Sequence, residues 1–228
     1  PAGDKSWPVA CGHTTLGEVG KELDLSRAHL SYGDFEGSSF QGNGVIKLNG
    51  AGLAHADLSN SKISAVGKEA QTIDFSGANL SNADLSGSEL TAAAGKGRSQ
   101  SLGVNSGSAY DASLIDFTGA DLTGASLTGS KFTTEIGNDD EDGKATIDFT
   151  EANLDRTDLS NSILKADAGG QAMIKFTNAT LARAVLRDSK LRADGGRDAT
   201  VDFTEANFAR ADLSGWKVTT TGSTGETT

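Results

Sequence analysis

The chain has a single cysteine, two prolines, one methionine and three histidines among its 228 residues. One thiol, Cys11, excludes an internal disulfide. With no second cysteine and no ligand spacing among His13, His29 and His55, the usual Cys/His zinc site is excluded as well. Aromatics are scarce at 6% while glycine reaches 29 residues, a balance that disfavours a packed helical enzyme and favours tight turns or a small-residue repeat. No window approaches the roughly 18 apolar residues of a membrane span, so membrane association is expected only through a partner. Positive charge is in short supply: 20 Lys and Arg face 31 Asp and Glu, for a net charge of −11. That argues against a general affinity for nucleic-acid backbones or anionic lipids. There is no G-x-S-x-G elbow, no P-loop and no G-x-G-x-x-G after a strand, so no catalytic role and no cofactor are expected. The chain opens at Pro1 and not at Met, which we read as a processed or trimmed amino terminus, compatible with a removed targeting segment.

What the chain does have is a five-residue repeat. Phe or Leu recurs every fifth residue in seven runs of four, beginning at Leu25, Leu48, Phe75, Phe117, Phe149, Phe176 and Phe203. Of the 28 centres so defined, 26 are Phe or Leu, and they include all nine phenylalanines, which chance does not produce. A period of five fits neither an amphipathic helix nor an alternating strand, so the unit must turn a corner every five residues and close after four. The residue two before each centre confirms this phase. It is aliphatic on the first face (Leu23, Ile46, Ile73, Ile115, Ile147, Ile174, Val201) and always alanine on the second. On the third it is small, and on the fourth it is serine six times, from Ser38 to Ser189, and then Trp216. Positions that keep their type from run to run are positions that stack.

The units ANLSN, ADLSG and ADLTG resemble the pentapeptide-repeat family, over roughly residues 23–218. The resemblance implies an all-β fold, a right-handed quadrilateral β-helix of seven coils with the centre and the residue two before it pointing inward. The six serines then read as a buried hydroxyl ladder that satisfies itself and the turn backbone.

The spacing departs from a plain solenoid. First-face centres lie 23, 27, 42, 32, 27 and 27 residues apart instead of 20, and every excess falls between the fourth face and the next first face. The inserted stretches (43–45, 66–72, 93–114, 135–146, 167–173 and 194–200) are therefore expected as loops along one corner, a ridge of the kind repeat proteins bind with. Candidate interface residues on the two longest are Lys96, Arg98, Leu102 and Tyr110, and the acidic run Asp139, Asp140, Glu141, Asp142. That run lacks the alternating acids and glycine of a calcium loop, so a solvated acidic loop is the expectation and no metal is assigned. Arg156, Arg183 and Arg210 repeat every 27 residues and should stack as a ladder, neutralised by Glu151 and Glu205 or by a partner. A threonine ladder at Thr118, Thr150, Thr177 and Thr204 is too interrupted by acids for an ice-binding face. Residues 1–22 are expected to form an extension and cap, with a short helical lid over 14–22, and residues 219–228 a flexible polar tail.

Two functions follow from the resemblance. The first is a non-enzymatic interaction scaffold. Some family members reside in the thylakoid lumen, which implies for this chain an accessory subunit docking on a larger, photosynthetic membrane complex. The second is a DNA mimic that binds a type II topoisomerase, as quinolone-resistance members do; acidic charge and rod shape favour it. Against it stand the polar end of this chain and the lysines and arginines that interrupt the acidic surface. In both readings the partner is protein, without direct contact to nucleic acid.

Overall fold

The computed structural model describes residues 12–18, 21–95, 112–137, 142–222 and 226–227. Their strands run, in chain order, Thr15–Leu16 (β1), Leu23–Asp24 (β2), Ser39–Gly42 (β3), Val45–Lys47 (β4), Lys62–Gly67 (β5) and Gln71–Asp74 (β6). Then follow Glu89–Ala94 (β7), Ala112–Asp116 (β8), Lys131–Ile136 (β9), Lys144–Asp148 (β10) and Ile163–Ala168 (β11). The series ends with Gln171–Lys175 (β12), Lys190–Gly195 (β13), Asp198–Asp202 (β14), Lys217–Thr221 (β15) and Glu226–Thr227 (β16). Odd-numbered strands form one parallel eight-stranded sheet and even-numbered strands a second. Single parallel bridges, such as His29↔Gly52 and Asp34↔Asp57, stack the other two faces. The result is a right-handed β-helix of square section.

Register follows the sequence pattern residue for residue. Leu23, Ile46, Ile73, Ile115, Ile147, Ile174 and Val201 pair in one column. Phe40, Ile63, Leu90, Phe132, Leu164, Leu191 and Val218 pair in another. Inside, Phe75, Phe117, Phe149 and Phe176 stack face to face at 4.9–5.0 Å between ring centroids, close to the inter-strand spacing of about 4.8 Å that the coils impose.

Three of the four corners close by the same device. The amide of the small residue donates to the carbonyl of the centre three before it, as Ala184 does to Leu181 at 3.1 Å, and the third residue of the turn has positive φ. That is the requirement of a type II turn, which favours Gly and Asn. Outward Asp and Asn side chains brace the faces: Asp57 Oδ1 accepts the Ser59 amide at 2.9 Å, and Asp84, Asp158 and Asp212 do the same for Ser86, Ser160 and Ser214.

The fourth corner is open, and here the structure corrects the expectation of loops. The inserted residues lengthen both strands, so β5 runs on to Gly67 and β6 starts at Gln71, while β11 reaches Ala168 and β12 starts at Gln171. The two sheets thus project beyond the square section as a flat fin. Its interior is lined by Ala65, Ala92, Ala166 and Ala193 from one sheet and Ala145, Ala172 and Ala199 from the other, all buried. Small residues let two sheets approach without the usual bulky layer; at Gly195 a Cβ would lie 1.8 Å from the Asp198 carbonyl oxygen. Residues that look like loop filler between repeats are strand residues because they stack on identical positions in the coils above and below.

The start of the chain differs too. No helical lid forms at 14–16; Thr15 and Leu16 pair with Ser39 and Phe40 as a further rung of the first sheet. Leu16 is in effect one more fourth-face centre, spaced from Leu25 without the regular five-residue unit between. At the other end β15 runs to Thr221 and β16 pairs with β14 through Thr200↔Glu226.

Candidate interaction surface

The corner after the second face carries Tyr32, His55, Asn82, Gly124, Arg156, Arg183 and Arg210, one per coil. All six non-glycine residues have φ between 55° and 62°. A left-handed conformation costs a bulky residue about 1 kcal/mol or more relative to glycine, so three arginines in succession are held there against backbone preference. Arg183 donates Nε–H and Nη2–H to the Asp155 carboxylate at 3.1 and 2.7 Å, and Arg156 Nε lies 3.6 Å from the same group. The acid that neutralises the ladder is therefore Asp155, not Glu151 or Glu205. Those two occupy the positive-φ position of the preceding corner, one face away. Asp155 follows the centre Leu154, where the next two coils have Ala182 and Ala209, so Arg183 borrows its acid from the coil below and Arg210 has none among the described residues. This was visible in the sequence as the one acid in a column of Ser, Thr and Ala. At the opposite end of the same corner Tyr32, 65% exposed, stacks on His55 with centroids 4.8 Å apart.

Of the residues proposed on the inserts, Lys96, Arg98, Leu102, Tyr110, Asp139, Asp140 and Glu141 lie outside the described residues. Asp142 accepts a 2.8 Å hydrogen bond from Arg197 two coils further on. Among the described residues, no group of three or more His, Cys, Asp and Glu is placed to hold a metal.

The outer face of the fin carries its own charge order. Lys165 Nζ sits 2.8 Å from Asp167 and 3.6 Å from Glu135, and the hydrogen bond to Asp167 raises its pKa. On the neighbouring strand β13, Arg192 pairs with Asp194 in the same way. Lys190 and Lys217 are in-register neighbours on β13 and β15, both exposed, and neither has an ion-pair partner among the described residues. With Asn161, Ile163, Asp188 and Gly215 they line a shallow cavity of about 330 Å³ at the carboxy-terminal end.

The serine ladder is satisfied by backbone carbonyls and not by its own hydroxyls, and only in part: the buried hydroxyl of Ser61 has no hydrogen-bond partner among the described residues. Ser88, Ser130, Ser162 and Ser189 each donate a hydroxyl to the third-face carbonyl of the coil before, at 2.6–2.8 Å, and Thr157 does so at 2.7 Å on the preceding corner. Trp216 replaces the ladder in the last coil and packs on Phe203 and Phe208 at centroid distances of 5.4 and 6.1 Å.

A model of the family described as pentapeptide repeats matches residues 73–94 and 111–133, with eight copies. Over those stretches the chain carries the pentapeptide repeats of this family. The regular register of the remaining coils carries the pentapeptide-repeat pattern beyond the matched stretches. No curated protein matches the chain. Among solved structures it is similar to HetL, a pentapeptide repeat protein involved in heterocyst differentiation regulation from the cyanobacterium Nostoc sp. strain PCC 7120. Identity is 21%, with 90% of this chain and 87% of that one covered and a TM-score of 0.24. It is also similar to QnrB1, a plasmid-mediated fluoroquinolone resistance protein, at 16% identity, 91% coverage of both chains and a TM-score of 0.21. At such TM-scores neither likeness says anything about partners.

Proposed function

We propose that this pentapeptide-repeat protein is a non-catalytic scaffold that binds protein partners as an accessory subunit of a larger assembly. The observation that supports this most directly is the fin. In successive coils the inserted residues are built into two parallel sheets, which makes a rigid, charge-patterned wall where a solenoid needs only a turn. The arginine ladder beside Asp155 adds a second rigid charged edge. The topoisomerase reading is less well supported. Its acidic column is broken by Ser126 and Val185, and Arg187 occupies Asp212 at 2.6 Å. The finer identification of the assembly as a photosynthetic membrane complex in the thylakoid lumen comes from the family resemblance alone.

Cross-linking mass spectrometry on a mild detergent extract of the native source tests the reading. Lys68 and Lys144, both exposed on the fin, are expected to link to subunits of one assembly. Photosystem subunits would establish the finer identification. Links only to topoisomerase subunits, or none to any assembly, would overturn the scaffold reading.

A further inference from the structure

The carboxy-terminal end of the rod, residues 174–222, is electrically and chemically unlike the rest. Residues 174–222 hold eight of the 20 Lys and Arg but only six of the 31 Asp and Glu, a net charge of +2 against −13 for the remainder. The backbone there is also one-sided. In the coil below, Leu181, Arg183, Leu186 and Asp188 donate their amides upward to the carbonyls of Asn207, Ala209, Asp212 and Ser214. The equivalent amides of Phe208, Arg210, Leu213 and Gly215 have no such acceptor among the described residues, since β16 stacks only on the first face. Upward-facing carbonyls are fewer, three against four: Ala206, Ala211 and Trp216 are the counterparts of Ala179, Ala184 and Ser189, which accept from Asn207, Asp212 and Lys217. The end is thus donor-rich, and donors favour anionic or acceptor groups.

The side chains agree with the backbone. Arg210 and Lys217 carry no ion pair among the described residues, and Lys217 with Lys190 lines the 330 Å³ cavity that opens next to the Gly215 amide. Asp188 also lines that cavity, one acid against two lysines. Between the cations lies an apolar centre of Phe208, Leu213 and Trp216, all half-buried where their counterparts in lower coils are fully buried. Resting on the scaffold reading, we propose that this end binds an extended acidic segment of a partner protein. The segment lies across faces two to four as the next rung, its carbonyls taking the free amides. Its alternate carboxylates reach Arg210 and the Lys190–Lys217 cavity, and its apolar side chains cover Trp216. Charge decides this occupant over a second copy. Two such ends facing each other would bring together the Arg210 and Lys217 side chains of both copies.

The test uses the full chain with Trp7→Phe, which leaves Trp216 as its only tryptophan. The probe is a labelled peptide of alternating Glu and Val, roughly fifteen residues long, five for each of the three faces it would follow. Binding is read by anisotropy and by a change in Trp216 emission. The double change Arg210→Glu with Lys217→Glu is expected to weaken binding roughly tenfold or more, and the neutral pair Arg210→Gln with Lys217→Gln by less. Arg156→Glu, on the same corner two coils below, is expected to leave it unchanged. Circular dichroism confirms that each variant keeps the fold, and the neutral pair stands in if the reversal does not. Absence of peptide binding overturns the proposal, as does equal weakening by Arg156→Glu, which would mean diffuse attraction. Self-association in light scattering that the end variants abolish overturns it in favour of a second copy. Because the fin cross-links are read separately, loss of the end site with those links intact leaves the scaffold reading standing.

Discussion

The aromatic column makes a sharp prediction about where stability resides. Phe117 is sandwiched between Phe75 and Phe149, at 5.0 and 4.9 Å with interplanar angles of 3° and 0°, and meets Phe132 edge-on at 6.0 Å. Phe75 has one stacked neighbour, since the coil before it has Leu48 at that position. Both rings are fully buried. Replacing either with Leu, the other residue this position accepts, costs about 1.5 kcal/mol or less through lost volume and imperfect packing. Each lost aromatic pair adds about 0.5–1.5 kcal/mol. Phe75→Leu removes one pair, whereas Phe117→Leu removes two stacked pairs and an edge contact. The second substitution should therefore cost more than the first by about 1–3 kcal/mol, a difference of several degrees in Tm at this chain length. Urea unfolding followed by circular dichroism and by tryptophan emission gives the comparison, and coincidence of the two curves checks that the rod unfolds as one unit. Equal costs for the two substitutions would show that the column is held by volume and burial alone, with no contribution from stacking.

Two more substitutions probe polar groups. Thr134 is fully buried in the fin between Ala92 and Ala166, and its hydroxyl has no hydrogen-bond partner among the described residues. Thr134→Val keeps the β-branched shape and removes the orphan, so stability should rise by about 1 kcal/mol or more, and a fall in the urea midpoint would show that the hydroxyl is satisfied in solution. Asp212 has its pKa lowered to about 2 by the Ser214 hydroxyl first, then by the Arg187 guanidinium and the Ser214 amide. A depressed carboxylate stabilises the fold above its unfolded pKa of 3.8 and ceases to do so as pH falls towards 2. The stability gap between the parent chain and Asp212→Asn should accordingly narrow between pH 4 and 2, and a constant gap would place the effect elsewhere.

The core was legible because it is written in repeated identity. A stacked position meets itself in the next coil, so Ile46, Ile73 and Ile115 announce their neighbours by being alike. The fin was not legible for the opposite reason. Its inward residues are alanines and its turns are glycine-rich, a composition that reads as loop unless one knows that Ala65 faces Ala92 and Ala166 faces Ala193. The partner of the arginine ladder was misread because sequence proximity favoured Glu151 and Glu205, both within five residues of an arginine. The turn instead points those acids to another corner and brings Asp155 beneath Arg183. The cation cluster at the end escaped notice because its members are spread over two faces and two coils, and only the missing upper coil makes them neighbours of open amides.

The two departures from a plain solenoid have one physical origin. Three corners are locked by a four-residue turn that leaves no room for an added residue, because the amide that closes the turn also sets the next face in register. Only the corner after Phe40 and its equivalents lacks that bond, so all extra length accumulates there. Once both strands run past the corner, their added amides and carbonyls need partners, and a parallel neighbour with the same extension supplies them. An extension in one coil is therefore stable only if the coils beside it extend too. The adjacent seven-residue inserts at 167–173 and 194–200 match in length for this reason. The first coil, with three added residues, contributes the shorter strands β3 and β4, and the fin begins in full only at β5.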